Sequence, residues 1–370
     1  MGKHQKHAKL KLRNNDNFAP NEIAILGTKC NIISDLVKSV SEKLTAYKLA
    51  YFDASHSKEI QKNKLETFTF HSSGNLNTNS NFEVNKFNQR VQFSQFDYVF
   101  INGNHYQGAK QILILDNDKE ASVLKRLEQL DHIQFIVKLN ENSTYFDFLE
   151  EHNPQIKNLH CYHISEIDKI SRHIENLIKE KIPPIQGLVL AGGKSVRMGK
   201  DKGELDFYGK NQRDVAIELL EKNNIKTYLS IREEQEVELE NKITDKFIGL
   251  GPFGAICSAF QQDPDSAWLV LATDVPFVND DVIKLLLKHR NPSKVATTIK
   301  GNDKQFPEPL ITIWEPKSYT LLLNYLAQGY SCPRKVLINS DVEIVKVDDE
   351  LIRNINTPEE YKNAYKEING

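Results

Sequence analysis

The chain has 370 residues, 39% hydrophobic and 26% charged, with a formal net charge of −2 at pH 7. That length can bury two separate cores, and that charge exerts no overall pull toward nucleic acid or an anionic membrane. The four cysteines, Cys30, Cys161, Cys257 and Cys332, lie far apart with no Cys-x-x-Cys pair, which argues against a zinc site or a disulfide framework and fits a reducing cytoplasm. No apolar run reaches the roughly 18 residues a membrane helix needs. The opening Met1-Gly2-Lys3-His4-Gln5-Lys6 carries neither a secretory apolar core nor a myristoylation signal. A cytoplasmic protein is expected.

Residues 1–20 carry Lys3, Lys6, Lys9, Lys11 and Arg13 among few apolar side chains, and read as a loosely attached basic arm. Asn21-Glu-Ile-Ala-Ile-Leu-Gly27 predicts a strand entering a turn, and Ile32 to Leu44 an amphipathic helix. Further strands are predicted at 47–53, 96–102, 111–115 and 134–138, with helical spacing between them. That alternation implies a parallel sheet covered by helices. Ser72 to Asn88, rich in Asn and Ser, predicts a long loop or loose hairpin. A helix over 165–181 is stopped by Ile182-Pro-Pro184. The domains are therefore set at 21–178 and 185–370, with a stiff linker at 179–184.

The most informative stretch follows. Ile185 to Ala191 reads as a buried strand. It runs into Gly192 and Gly193, where the backbone can turn sharply with its amides outward. Lys194, Arg197, Lys200 and Lys202 then place four cations in one short segment. Amides cradle phosphate oxygens, and cations neutralise charge that builds on an attacked phosphorus. The spacing is neither the Walker pattern nor the dinucleotide fingerprint.

Beyond it, helices are predicted over 214–222 and 232–242, the latter charged and solvated, and a strand over 226–232. Gly249-Leu-Gly-Pro-Phe-Gly254 predicts a tight turn and a helix start at Pro252. Ala267 to Thr273 is an apolar strand ending in Asp274-Val-Pro276. A carboxylate at the carboxyl end of a central strand sits where open parallel sheets bind ligands, and carboxylate with phosphate oxygens is the donor set that magnesium prefers. Asp274 is therefore the expected metal ligand. Asp280 and Asp281, in the first turn of the next helix, are expected to serve its dipole. Strands follow at 294–299 and 309–314, and Gln305 to Pro309 between them is placed toward a second substrate. Helices at 316–327 and 332–338, a strand at 342–347 and a terminal helix complete the chain. Thr357, Pro358 and Glu360 make the N-cap, N1 and capping-box residues of that last helix.

The spacing Leu190-Ala-Gly-Gly-x-Ser-x-Arg-Met-Gly-x-Asp-Lys202, with the Gly-Pro turn and Asn354-Ile-Asn-Thr-Pro-Glu359, resembles the molybdenum cofactor guanylyltransferase family over residues 185–370. The resemblance implies a Rossmann-like nucleotidyltransferase fold. It implies transfer of GMP from GTP to molybdopterin, with pyrophosphate released. On this footing Leu190, Ala191, Gly192, Gly193, Lys202 and Asp274 bind the nucleotide, and Arg197, Lys202 and Asp274 are catalytic. Asp274 holds magnesium, and Asn354 and Asn356 line the substrate site. The family aspartate before the Gly-Pro turn has one weak counterpart, Asp245. CTP with molybdopterin, another nucleotide with a sugar phosphate, and a non-catalytic scaffold stay open.

The N-terminal half resembles the P-loop adapter family that partners these enzymes. The resemblance rests on Leu26 to Ser34, Leu49 to His56, and Asp97 to Asp116. Lys29 survives, but Cys30 replaces the magnesium-binding hydroxyl, and a thiol is a poor ligand for a hard cation. A degenerate, non-hydrolysing domain is expected, suited to scaffolding, dimerisation or a pterin-like ligand. His56 and His105 read as packing or surface residues rather than a metal pair. Molybdoenzymes or other cofactor-assembly proteins are the implied protein partners. The whole is an α/β chain of two domains, each a mostly parallel sheet with helices on both faces.

Overall fold

The structure is a computed structural model that describes residues 9–55, 65–79, 85–191, 203, 205–235 and 237–370. Gly192, Gly193, Lys194, Arg197, Lys200, Lys202 and His56, all singled out above, lie outside the described residues. The chain divides into two compact units, Asn15–Lys181 and Ile182–Gly370, and the described residues 9–14 belong with the second.

The first unit starts with β1 (Glu22–Leu26), whose five residues are all buried. It passes through Gly27 and Thr28 into α1 (Cys30–Lys43). Helical spacing buries Ile33, Leu36, Val37 and Val40 against the sheet. Next come β2 (Leu49–Phe52), a hairpin of β3 (Thr67–Phe70) and β4 (Leu76–Asn79), and α2 (Lys86–Phe93). Then follow β5 (Tyr98–Asn102), β6 (Gln111–Leu115), α3 (Glu120–Leu124), β7 (Ile133–Lys138), α4 (Asp147–His152), β8 (Cys161–His163) and α5 (Ile167–Lys179). The sheet order is β2-β5-β1-β6-β7-β8, and every pair is parallel. The Asn/Ser-rich stretch is thus ordered at both ends, as a hairpin and as a helix capped by the Asn85 side chain.

In the second unit the elements are β9 (Ile185–Leu190), α6 (Gln212–Glu221), β10 (Lys226–Ile231), β11 (Lys242–Thr244), α7 (Pro252–Gln262), β12 (Ala267–Ala272) and α8 (Asp280–Lys288). They continue with β13 (Ala296–Gly301), β14 (Glu308–Trp314), α9 (Lys317–Ala327), α10 (Pro333–Ile338), β15 (Val342–Val347) and α11 (Pro358–Asn369). The sheet runs β11-β10-β9-β12-β14-β13-β15, with β14 antiparallel to both neighbours and the other pairs parallel. Gly187 in β9 is a close-approach position, since a Cβ there would stand 2.7 Å from Thr227 Oγ1 and 2.9 Å from Leu220 Cδ1.

The charged helix expected over 232–242 is absent among the described residues, which form a turn and an open segment leading into β11. That stretch has too little apolar surface to anchor a helix. The basic arm is anchored in its described part. Lys11 pairs with Asp263, and the Asn14 amide donates to Asp265 Oδ1 at 2.9 Å. In the first unit the buried Glu22 carboxylate accepts from the amides of Asn17, Phe18, Ala19 and Ala109.

One buried ion pair holds β14 to the end of α8. Arg290 reaches both Glu315 oxygens, at 2.7 and 2.9 Å, and donates to the Pro183 carbonyl at 2.8 Å. The Glu315 side chain is 1% exposed. Removing one partner leaves the other charged and unpaired. Arg290→Ala is therefore expected to destabilise this unit by about 3–5 kcal/mol. Urea unfolding followed by tryptophan fluorescence measures it, because both tryptophans, Trp268 and Trp314, are buried there.

Candidate active site

The site is built where three parallel strands of the second unit end together. Leu190, the last residue of β9, is in register with Ser230 of β10 and with Ala272 of β12. Side chains then tie the strand ends. Thr273 Oγ1 donates to the Leu190 carbonyl at 3.2 Å, the Ala191 amide donates to the Ser230 carbonyl at 3.3 Å, and Gln235 Nε2 donates to the Ala191 carbonyl at 3.3 Å. The chain therefore leaves Ala191 toward the signature one strand away from Asp274. Ala191 is buried, while Leu190 and Asp274 are half-buried.

The return end of the signature is fixed at the same edge. Leu205 and Phe207 are buried in one cluster with Ile355 and Ala364, against Phe277 and Tyr361. Tyr361 Oη donates to the Asp206 carbonyl, and Tyr208 Oη to the Pro276 carbonyl, each at 2.8 Å. The amide of Ile355 donates to the Asp274 carbonyl at 2.8 Å. This bond lays the Asn354–Asn356 segment directly beside Asp274, with Asn354 exposed and Asn356 half-buried. Just beyond, Thr357 and Glu360 form the expected capping box of α11. The structure thus brings Leu190, Ala191, Asp274, Asn354 and Asn356 to one edge. Gly192, Gly193, Arg197 and Lys202 lie between the described residues Ala191 and Leu205.

A second carboxylate, Glu308, joins Asp274. Between Thr298 and Ile299 the β13–β14 register shifts, so that Ile299 faces Glu308. The buried Thr298 and Thr312 hydroxyls sit 2.7 Å apart and donate to the Glu308 carbonyl at 3.1 and 2.7 Å. Such an irregularity re-aims a side chain. Burial pushes the Glu308 carboxyl above its usual range, Arg334 at 3.3 Å pulls it back, and the Asp274 charge pushes it up again. Sequence reading had Gln305 to Pro309 near the second substrate but no signal for the carboxylate pairing, which depends on the threonine-filled irregularity.

The other acids are used structurally. Asp245, at the end of β11, accepts from the Phe247 amide and the Ser258 hydroxyl, each at 2.8 Å. It lies so close to α7 that a Cβ on Gly254 would come within 3.0 Å of its carboxylate. Asp280 receives Lys222, Lys284 and Asn223, which depress its pKa.

A divalent cation fits this edge by donor chemistry. Two carboxylates approach closely enough for one to raise the pKa of the other, and a bound cation relieves that repulsion. Among the described residues no cluster of three or more protein ligands is present.

An open, mostly parallel α/β sheet with an aspartate just past the carboxyl end of a central strand is the arrangement in which such sheets bind ligands. Residues 187–343 match the family described as MobA-like NTP transferase domain. Of the similar proteins, a Synechocystis molybdenum cofactor biosynthesis bifunctional protein is 35% identical over 48% of this chain and 53% of its own length. The chain thus spans about half of that relative. A probable molybdenum cofactor guanylyltransferase of Natranaerobius thermophilus is 25% identical over 49% of this chain and 95% of its own. The solved structure of molybdopterin-guanine dinucleotide biosynthesis protein A from Archaeoglobus fulgidus is 29% identical, with a TM-score of 0.41, over 49% of this chain and 97% of its own. Among the described residues no helix is long and apolar enough to cross a membrane.

The raised Glu308 pKa has a pH consequence. In the folded state this carboxyl keeps its proton where the unfolded chain has released it, so its contribution is present at acid pH. It is lost as pH rises from the ordinary carboxylate range through the raised value. Glu308→Gln removes that loss. Thermal unfolding across this window is expected to show wild type falling relative to the variant, with the gap constant above it.

Proposed function

We propose that the C-terminal half transfers a nucleotidyl group from a nucleoside triphosphate to a phosphate acceptor: GMP from GTP to molybdopterin, with release of pyrophosphate. The observation that carries this reading is the lock between β9 and β12. It sets Asp274 beside the residues that lead into the Gly-Gly-Lys-Ser-x-Arg segment, with the 354–356 segment bonded to the Asp274 backbone. The matched NTP transferase domain and the guanylyltransferase names of its relatives supply the reaction and substrates.

In this reading the backbone of Leu190, Ala191, Gly192 and Gly193 holds the nucleotide. Lys202 and Arg197 meet its phosphates, and Asp274 binds magnesium, with Glu308 adding negative charge at the same place. Asn354 and Asn356 line the substrate pocket. The bound cation would neutralise phosphate charge. The acceptor is a phosphate monoester, already ionised, so no Ser/His nucleophile is required. What the protein supplies is alignment of two anions, and positive charge that tightens as the leaving pyrophosphate forms.

The N-terminal half, read as a degenerate P-loop-like domain over 21–178, would serve as scaffold or pterin-binding module. Its nucleotide loop keeps Lys29, while Cys30 replaces the metal-binding hydroxyl. Molybdoenzymes and other cofactor-assembly proteins would be its partners, in the cytoplasm.

The test is incubation of the full chain with molybdopterin, magnesium and each nucleoside triphosphate in turn, with mass detection of the dinucleotide. The GTP product is expected to dominate. Asp274→Ala is expected to lower turnover by at least about 10²-fold, the scale of losing one preorganised electrostatic partner, with thermal stability retained. A product from CTP alone would move the assignment to the cytosine dinucleotide. Near-wild-type turnover in Asp274→Ala would remove Asp274 from the site.

A further inference from the structure

The first unit gathers a second set of reactive groups at the carboxyl edge of its own sheet. Strands β2, β5 and β1 are consecutive neighbours, and each delivers one residue just past its end. β1 leads to Cys30, the first residue of the 14-residue α1; β2 leads to Asp53; β5 leads to His105. Cys30 Sγ lies 3.3 Å from His105 Nε2, and the same ring nitrogen lies 3.9 Å from Asp53 Oδ1. Asn104 Nδ2 is 3.7 Å from the sulfur. Tyr51 Oη donates to Asp53 Oδ2 at 2.9 Å. Asn102 is fully buried, and its Nδ2 makes no hydrogen bond of good geometry, yet it faces the thiol and the Asp53 carboxylate closely enough to lower both pKa values. A fully buried amide donor that faces a thiol at a helix N-terminus favours the thiolate over the thiol.

We propose that Cys30, with His105 as its proton-donating neighbour, reduces small hydroperoxides to alcohols, making Cys30 a site of oxidation to sulfenic acid in the N-terminal domain. The arrangement is a pair with a counter-charge, not a linear relay, because the thiol and Asp53 address the same ring nitrogen. Burial raises the thiol pKa, but the hydrogen-bonding groups of Asn102, Asn104 and His105, and the His105 charge, outweigh it and leave it lowered. The charged and titratable groups facing the sulfur are His105, Asp53 and Tyr51; burial and Asp53 hold the Tyr51 phenol protonated. The thiolate attacks the terminal oxygen of the hydroperoxide, so that an S–O bond forms as the O–O bond breaks. Sulfur loses two electrons and becomes a sulfenic acid. The departing alkoxide takes the proton from His105 Nε2 and leaves as the alcohol. The Asn102 amide, which faces the sulfur, is placed to stabilise negative charge during the transfer. This inference is independent of the nucleotidyl transfer reading.

The remaining cysteines are internal controls. Cys161 and Cys332 are exposed, and Cys257 is buried with its pKa pushed up to about 12. The full chain is treated with hydrogen peroxide, trapped with dimedone and read by peptide mass spectrometry. At pH 7 Cys30 is expected to label at least about tenfold faster than Cys161 and Cys332 despite its lower exposure, a modest share of what a positioned proton donor can contribute. Its rate should persist below the ordinary thiol range. His105→Gln, which keeps a hydrogen-bonding side chain but no titratable proton, should bring both rate and pH profile to those of Cys332. Should that variant unfold, Asp53→Asn is the substitute and should also slow labelling. Labelling of Cys30 no faster than Cys332, or an unchanged rate in a folded His105→Gln, overturns the proposal. So does a Cys30 that reacts rapidly with iodoacetamide but not with peroxide.

Discussion

The C-terminal site depends on one constraint, the parallel register of β9 and β12. Two strands that pair from Ala267↔Ile185 to Ala272↔Leu190 must end side by side, and the Thr273 hydroxyl on the Leu190 carbonyl fixes how their last residues separate. Everything chemical hangs from that pair of ends. The glycine- and cation-rich segment departs from one, and Asp274 stands at the other. Ile355 then bonds to the Asp274 carbonyl, so the terminal helix closes the same edge rather than packing elsewhere. A site assembled this way is rigid where it must be. Its described backbone belongs to buried strands.

Charge is distributed across that edge with some care. Asp274 and Glu308 repel each other, and the protein tolerates the repulsion because Arg334 offsets part of it and the threonine pair holds the β14 backbone in its shifted register. Groups of like charge held near one another are a common mark of a ligand-binding place. The neighbouring acids are already satisfied: Asp245 braces the turn before α7, and Asp280 is neutralised by two lysines. The N-terminal unit uses the same edge of its sheet for different chemistry, with a thiol, an imidazole and a carboxylate arriving on three adjacent strands.

Much of this was legible in the residues. Apolar runs such as Ala267 to Ala272 and Tyr98 to Asn102 can only be buried strands, and their alternation with helical spacing implies parallel sheets. Asp274 stood out because its strand is wholly apolar before it. The Thr357–Glu360 cap was readable for the same reason, since its geometry is local. What the sequence hid is non-local. Glu308 comes within electrostatic reach of Asp274 on a strand, β14, that runs antiparallel and slips against β13, which no spacing announces. Cys30 read as a lost magnesium ligand, while its meeting with His105 and Asp53 depends on the order in which three strands pair. The charged stretch after Ile231 has a sequence that suggests a helix. It is instead drawn into an open segment, because Gln235 binds the Ala191 carbonyl and little apolar surface holds a helix there.

The central claim is that the edge shared by β9 and β12 binds a nucleoside triphosphate through its phosphates and a divalent cation. Equilibrium titration of GTP into the full chain, with and without magnesium, tests it most directly. The account predicts saturable binding that requires the cation. Binding of equal strength with and without magnesium, or none in either case, would contradict it.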